Sequence, residues 1–226
     1  FEPIYYDGMT KFSDLNQNPF RHKLDEILSS AFQKPLDMHF IEAQNISYKI
    51  NDRNILRSIT FDIGFGELVK ISGRNGSGKT TLLKIIVGLT KQTKGSLTRK
   101  SGEKICFLGH KSGLKNYLTV RENLLIQGLK IDSFNLSLLE KFNLKRHVDN
   151  SVGTLSFGQQ KKLSLIRILN AKERIIILDE PFVGLDQESK NILIDFMDSI
   201  KKEKRTLIFT SHIDLEDQYR EIKIDD

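Results

Sequence analysis

Cysteine is almost absent from this chain: Cys106 is the only one in 226 residues. No internal disulfide can form, which excludes a disulfide-stapled scaffold and favours a reducing or thiol-neutral compartment. Cys106 lies in the apolar stretch Ile105–Leu108, where a thiol behaves as a small, inert hydrophobe. Long apolar runs are missing as well. The longest, such as Ile175–Leu178, are strand-length, far short of the roughly 20 residues that cross a bilayer as a helix. A concentrated basic stripe is also missing. The net charge is +6, but the lysines and arginines are scattered and not interleaved with aromatics, so the charge reads as a solvated surface and no nucleic-acid partner is expected. No internal repeat is visible, so each motif below occurs once. The length suits one well-packed domain, or one domain carrying a small subdomain.

What is present changes character near residue 38. Residues 1–37 are polar, contain Pro3, Pro19 and Pro35, and carry few strand patterns. Within them, Leu24, Ile27, Leu28 and Ala31 have helical spacing, which predicts one short amphipathic helix over residues 20–34 in an N-terminal extension. The first residue is Phe1 and not Met, and removal of an upstream targeting sequence is one expectation. From residue 38 onward, apolar runs at Phe40–Ile46, Ile59–Ile63, Leu68–Ile71, Ile105–Leu108, Ile175–Leu178 and Leu207–Thr210 predict strands. Helical segments starting near Gly78, Thr119, Ser137, Ser156 and Asp186 separate them. Capping-box spacing supports three of these starts: Thr119/Glu122, Ser137/Glu140 and Ser156/Gln159. Strands alternating with helices predict an α/β domain with a parallel sheet.

Residues 73–80 read Gly73-Arg74-Asn75-Gly76-Ser77-Gly78-Lys79-Thr80. They match the phosphate-loop pattern G-x-x-x-x-G-K-[ST] at every fixed position, after a predicted strand and before a predicted helix. Glycines let backbone N–H groups turn inward around phosphate oxygens, and the helix N-terminus adds partial positive charge. Lys79 is expected to reach the β- and γ-phosphates of ATP, the Thr80 hydroxyl to hold Mg²⁺, and Thr81 to join the nucleotide contacts.

The stretch Arg174-Ile-Ile-Ile-Leu-Asp-Glu-Pro181 is a predicted buried strand ending in two acids. Carboxylates at a strand terminus are costly without a nearby cation. Asp179 is expected to hold the metal, and Glu180 to polarise the attacking water as general base.

Leu155-Ser-Phe-Gly-Gln-Gln160 precedes that strand by about 20 residues, Gly184-Leu-Asp186 follows it, and Thr210-Ser-His212 ends the last predicted strand. Here the chain resembles the ABC ATPase family over about residues 39–215. The signature LSGGQ stands here as LSFGQ, with Phe157 in place of one glycine. The resemblance implies that Ser156, Gly158 and Gln159 contact ATP held by an opposite subunit, that residues 184–186 form the D-loop, and that His212 is the switch histidine. Two positions depart from the family. His110 stands where a glutamine usually touches Mg²⁺, and the adenine-stacking aromatic is replaced by Ile50, with Tyr48 close by. Leu108-Gly-His110, Gly113-Leu-Lys115 and Leu118-Thr-Val-Arg-Glu-Asn-Leu124 are similar to the haem-exporter ATPases of cytochrome c maturation, the CcmA type.

The resemblance implies a P-loop ABC ATPase domain over 38–226. It would have a parallel-sheet core, an antiparallel β portion near the N-terminus and a helical subdomain over about 111–160. It implies ATP and Mg²⁺ as ligands, integral membrane subunits as partners and a second ATPase chain to complete each site. The expected location is the ATP-rich face of a membrane, either the bacterial inner membrane or the mitochondrial inner membrane on its matrix side, with a lean to the latter. A transporter subunit for another substrate, and a nucleotide-binding subunit with little turnover, remain as alternatives.

Overall fold

The computed structural model describes residues 39–212 and 219–224. The expected N-terminal extension and its helix lie outside the described residues.

Strands β1 (His39–Ile50) and β2 (Arg53–Gly64) form a hairpin. It turns at Asn51, whose φ of 51° is a conformation that asparagine tolerates in tight turns. Strand β1 also pairs antiparallel with β4 (Lys94–Arg99), giving a three-stranded sheet in the order β2-β1-β4. A second sheet contains β3 (Leu68–Ser72), β5 (Ile105–Leu108), β6 (Ile175–Leu178), β7 (Thr206–Thr210) and β8 (Arg220–Lys223). Its order is β5-β6-β7-β3-β8, and every neighbouring pair is parallel.

The helices are α1 (Lys79–Ile86), α2 (Val120–Ile126), α3 (Ser133–Lys141), α4 (Phe157–Leu169) and α5 (Gln187–Lys202). Two short 3₁₀ turns, Lys145–His147 and Val152–Thr154, lie between α3 and α4.

The central parallel strands β6 and β7 are buried on both faces, as a parallel sheet covered on both sides requires. Alternate residues serve opposite cores. Ile176, Leu178, Leu207 and Phe209 pack with Leu165 and Ile166 of α4 and with Leu193 and Met197 of α5. Ile175, Ile177, Ile208, Val69 and Ile71 pack instead with Leu82, Leu83 and Ile86 of α1 and with Ile41 and Ile63 of the antiparallel sheet. Cys106 belongs to the first core, and burial pushes its thiol above the ordinary range, so it stays protonated and inert.

Two of the three expected capping boxes form. Thr119 and Glu122 bond reciprocally at the head of α2, and Ser156 and Gln159 do so at the head of α4. The third does not. Helix α3 starts four residues earlier than Ser137, where Asp132 accepts the Asn135 N–H at 2.8 Å. Aspartate caps as strongly as serine, and the Asn135 side chain also donates to the Lys130 carbonyl at 2.8 Å, fixing the earlier entry. Ser137 is left inside the helix.

Asp186 caps α5: one carboxylate oxygen accepts the Ser189 N–H at 3.0 Å, and the other pairs with the Lys162 ammonium of α4. The Lys162 contact, helped by Ser189, holds the Asp186 carboxyl well below the usual carboxylate range. A depressed folded pKa means that the ionised group stabilises the fold above about pH 4, and that this contribution drains as pH falls through the folded value. The carboxylate is more than half exposed, so solvent screens the pair. Asp186→Ala is expected to cost about 1 kcal/mol at pH 7, mostly as the lost cap. Asp186→Asn keeps the cap and loses only the charge. Urea midpoints of wild type and Asp186→Asn should differ at pH 7, and the gap should begin to narrow as pH is lowered below about 4; a gap unaffected by molar salt at pH 7 would rule out the ion pair as its source.

Candidate functional site

Strands β3, β6 and β7 are neighbours, and all three run in one direction, so the residues that follow them emerge at one edge of the sheet. In open α/β sheets this carboxyl-end crevice is where ligands bind. The phosphate loop leaves β3, the acid pair leaves β6, and Thr210, Ser211 and His212 end or follow β7.

The loop enters α1 through Gly78, at φ 97°. A side chain there would be strained, and a Cβ would come within 2.6 Å of Leu56 Cδ2 and 3.0 Å of the Ile55 carbonyl. The hairpin strand β2 thus presses directly on the loop, and only glycine fits between them. Ser77 donates its N–H to the Arg74 carbonyl at 3.1 Å, which closes the loop on itself. The Lys79 ammonium donates to the Gly73 and Arg74 carbonyls at 2.8 and 3.2 Å. It therefore lies along the inside of the loop, with Gly73, Arg74, Asn75, Gly76, Ser77 and Gly78 forming the arch above the start of α1. Thr80 and Thr81 occupy the first turn of α1, both half-buried.

Thr80 donates its hydroxyl to Asp179 Oδ2 at 2.8 Å across 99 residues of sequence. Thr210 donates to the other oxygen, Oδ1, also at 2.8 Å. The same Thr210 hydroxyl accepts the Glu180 N–H at 2.8 Å, and the Asp179 N–H donates to the Leu108 carbonyl at 2.8 Å. Asp179 is buried, and each of its carboxylate oxygens is held by a hydroxyl.

Glu180 has φ 47°, left-handed geometry that costs a residue with a Cβ about 1–2 kcal/mol. Its N–H is taken by Thr210 and its carbonyl by the Lys161 ammonium, at 3.1 Å. The carboxylate oxygen Oε1 is buried and accepts no hydrogen bond among the described residues. His212 Nε2 stands 3.3 Å from it. An unsatisfied carboxylate oxygen beside an imidazole, at the mouth of a phosphate loop, is suited to hold and polarise a water molecule.

The site has the donors that Mg²⁺ prefers: a hydroxyl and a carboxylate, both oxygen, adjacent and already in contact. Thr80 and Asp179 supply two such donors, and they would share the ion with phosphate oxygens. That is how Mg²⁺ is usually bound beside a nucleotide.

Ser156, Gly158 and Gln159 stand at the head of α4. Gln159 Oε1 accepts the Ser156 N–H at 2.8 Å, and Gln159 Nε2 lies 3.2 Å from His147 Nε2. Ser156, Gln159 and His147 form a bonded unit distinct from that of Thr80, Asp179, Glu180 and Thr210. Phe157 is exposed, and its ring edge lies where a Cβ on Gly184 would approach within 2.8 Å. The departure at Phe157 is accommodated by the bare backbone of Gly184 at φ 80°.

His110 sits in an exposed position two residues beyond β5, whose last residue, Leu108, is in register with Leu178. Tyr48 pairs with Leu56, the residue whose side chain contacts Gly78, and packs partly against the second core. Ile50 pairs with Arg53 at the hairpin tip and is half exposed.

Two participants escape a reading of the sequence. Thr210 links Asp179 to Glu180, and Lys161 holds the Glu180 carbonyl. Thr210 has a faint signal, a hydroxyl residue closing an apolar strand just before His212. Lys161 has none, because an exposed lysine would look the same.

Comparison with known proteins agrees with this geometry. The ABC transporter family model matches residues 56–183. The chain is similar to the cytochrome c biogenesis ATP-binding export protein CcmA of Legionella pneumophila (strain Lens), 34% identical over 77% of this chain and 94% of that protein. The protein of the same description from Haemophilus influenzae is 33% identical over 78% and 90% of the two chains. Among solved structures, a dimeric ATP-binding cassette in a post-hydrolysis state bound to ADP and Pi superposes with a TM-score of 0.63. It is 25% identical and is covered over 88% of its length by 76% of this chain. The chain belongs to the ABC transporter family and is one of its ATPase domains.

Proposed function

We propose that this ATPase hydrolyses Mg²⁺-bound ATP to drive a membrane complex of cytochrome c maturation that handles haem. The observation that carries the chemistry is the convergence at one edge of the parallel sheet of Lys79 inside its loop, the bonded pair Thr80–Asp179, and Glu180 with His212 3.3 Å from its carboxylate. The loop amides and Lys79 bind and orient the phosphates. Thr80 and Asp179 would hold the metal, which would supply charge neutralisation on the phosphate oxygens. Glu180 takes the proton of the attacking water, and His212 orients that water against the γ-phosphate. Tyr48 or Ile50 would pack on the adenine, and His110, standing at the position of the family's glutamine, would be available to the metal when it is bound.

Ser156, Gly158 and Gln159 act on ATP held by a second copy of the chain, with the N-terminus of α4 directed at phosphate. Support for a pair of chains comes from the dimeric cassette described above. The helical segment over about 111–160 is the subdomain that carries this signature, and residues 1–37 are an extension to the ATPase domain.

Support for cytochrome c maturation comes from the relatives of that description, which are about one-third identical. No helix among the described residues is long and apolar enough to cross a membrane, and integral membrane subunits are the partners proposed. The named relatives are bacterial and lend nothing to the mitochondrial lean. The location proposed is peripheral, on the ATP-rich face of a membrane.

The test is affinity purification from native membranes. Integral membrane subunits should co-purify with the chain, and haem should be retained with Glu180→Gln and released with wild type on addition of Mg²⁺ and ATP. Membrane subunits without haem in either state would favour a transporter for another substrate. ATP hydrolysis by wild type no faster than by Glu180→Gln would favour a binding subunit with little turnover.

A further inference from the structure

We propose that Lys161 is a positioning residue for Glu180: its buried ammonium grips the Glu180 carbonyl and fixes the backbone from which the base is presented. This rests on the reading of Glu180 as general base.

Three observations converge on it. The first is the contact itself, Nζ to carbonyl oxygen at 3.1 Å, made from the second turn of α4 by a residue that is 8% exposed. The second is what the contact holds. Glu180 sits at φ 47°, a conformation that residues with a Cβ leave unless their surroundings insist. Pro181 follows it and disfavours right-handed helical geometry at Glu180. Thr210 takes the N–H side and Lys161 the carbonyl side, so both peptide groups flanking the strained residue are anchored.

The third is the cost of the group used. A buried ammonium gives up its hydration, and burial lowers the Lys161 pKa, with only Asp179 and Glu180 pulling it back. A neutral donor would cap a carbonyl at less cost. The charge is retained where two carboxylates face it, which ties the head of α4 to the acid pair electrostatically as well as through the hydrogen bond.

Lys161 does not touch the reacting atoms; it acts through Glu180. Its loss should therefore appear in turnover and not in nucleotide binding. A displaced base can lower kcat by about 10- to 100-fold. The experiment uses the full chain as wild type, Lys161→Met, Lys161→Arg and Glu180→Gln, and measures kcat, KM for ATP, affinity for a fluorescent ATP analogue, and the unfolding midpoint.

The expected result is a kcat for Lys161→Met at least about tenfold down, with analogue affinity within about twofold of wild type, and partial recovery of kcat in Lys161→Arg, which keeps a charged donor. Lys161→Met turning over like wild type would overturn the proposal. So would a loss of kcat matched by an equal loss of affinity and stability, which would make the residue merely structural. Where the Met variant does not fold, Lys161→Arg carries the same test: a folded Arg variant whose affinity falls as far as its kcat overturns the proposal. Wild type no faster than Glu180→Gln would show separately that the reading of Glu180 as base has failed, and would take this proposal with it.

Discussion

Glu180→Gln should bind ATP as well as wild type and turn it over at least about 100-fold more slowly, the range assigned to a positioned general base. The substitution is conservative in the physical sense. The contacts that hold residue 180 in place, from Thr210 and Lys161, are made to its backbone and survive the change. Glutamine fills the same volume, but its amide cannot take a proton. The oxygen that accepts no hydrogen bond among the described residues is the part that changes. Phosphate release under saturating ATP, set beside analogue affinity, checks the prediction. A variant within about threefold of wild-type turnover would move the role of base to another group, with His212 the nearest candidate at 3.3 Å.

Lys79→Ala should do the opposite, removing binding itself. The Lys79 ammonium is buried beneath the loop and bonded to two of its carbonyls. Those bonds keep it where phosphate oxygens would meet it. A charge-assisted hydrogen bond contributes about 1.5–3 kcal/mol, so losing the contact to the phosphates should weaken ATP affinity by roughly 10- to 100-fold. Arginine should not rescue it, because its planar fork is bulkier and oriented differently from a compact ammonium. Equilibrium binding of a labelled nucleotide is the measurement, with far-ultraviolet circular dichroism to show that the fold is kept. Affinity unchanged within about twofold would mean that Lys79 ties the loop and does not hold phosphate.

Much of the parallel sheet was legible because its strands are buried on both faces. Ile175–Leu178 and Leu68–Ile71 are continuous apolar runs, and the structure pairs them within one sheet through β7. Strands β4 and β8 were not legible. Lys94–Arg99 buries little beyond part of Leu97, and Arg220–Lys223 buries only Ile222. Edge strands of this kind lack the period-two apolar signal, and their pairing is decided by the partner strand. The start of α3 was misread at Ser137, because two capping candidates, Asp132 and Ser137, lay within one helical turn or so of each other and only packing chose between them.

For the site, the linear motifs Gly73–Thr80 and Asp179–Glu180 could be read directly because each is continuous in sequence. The connections between motifs could not. Thr210 touches Asp179 across 31 residues and Lys161 touches Glu180 across 19. Thr210 carries only the faint mark of a hydroxyl closing an apolar strand before His212, and Lys161 carries none, since a helical lysine is ordinary.

The separation of these contacts bears on how the protein is made. Thr80 emerges during synthesis 99 residues before the Asp179 it bonds to, and Thr210 comes 31 residues later still. Until β7 has inserted between β3 and β6, the phosphate loop has neither its carboxylate nor its histidine. A ligand that binds only the finished arrangement stabilises it by mass action, so ATP should favour the last step of folding, closure of the parallel sheet around β7, over earlier ones. Long-range parallel pairing is the slow part of folding such topologies. In cells with millimolar nucleotide, ATP would act on this chain first as a late folding ligand and only afterwards as a fuel.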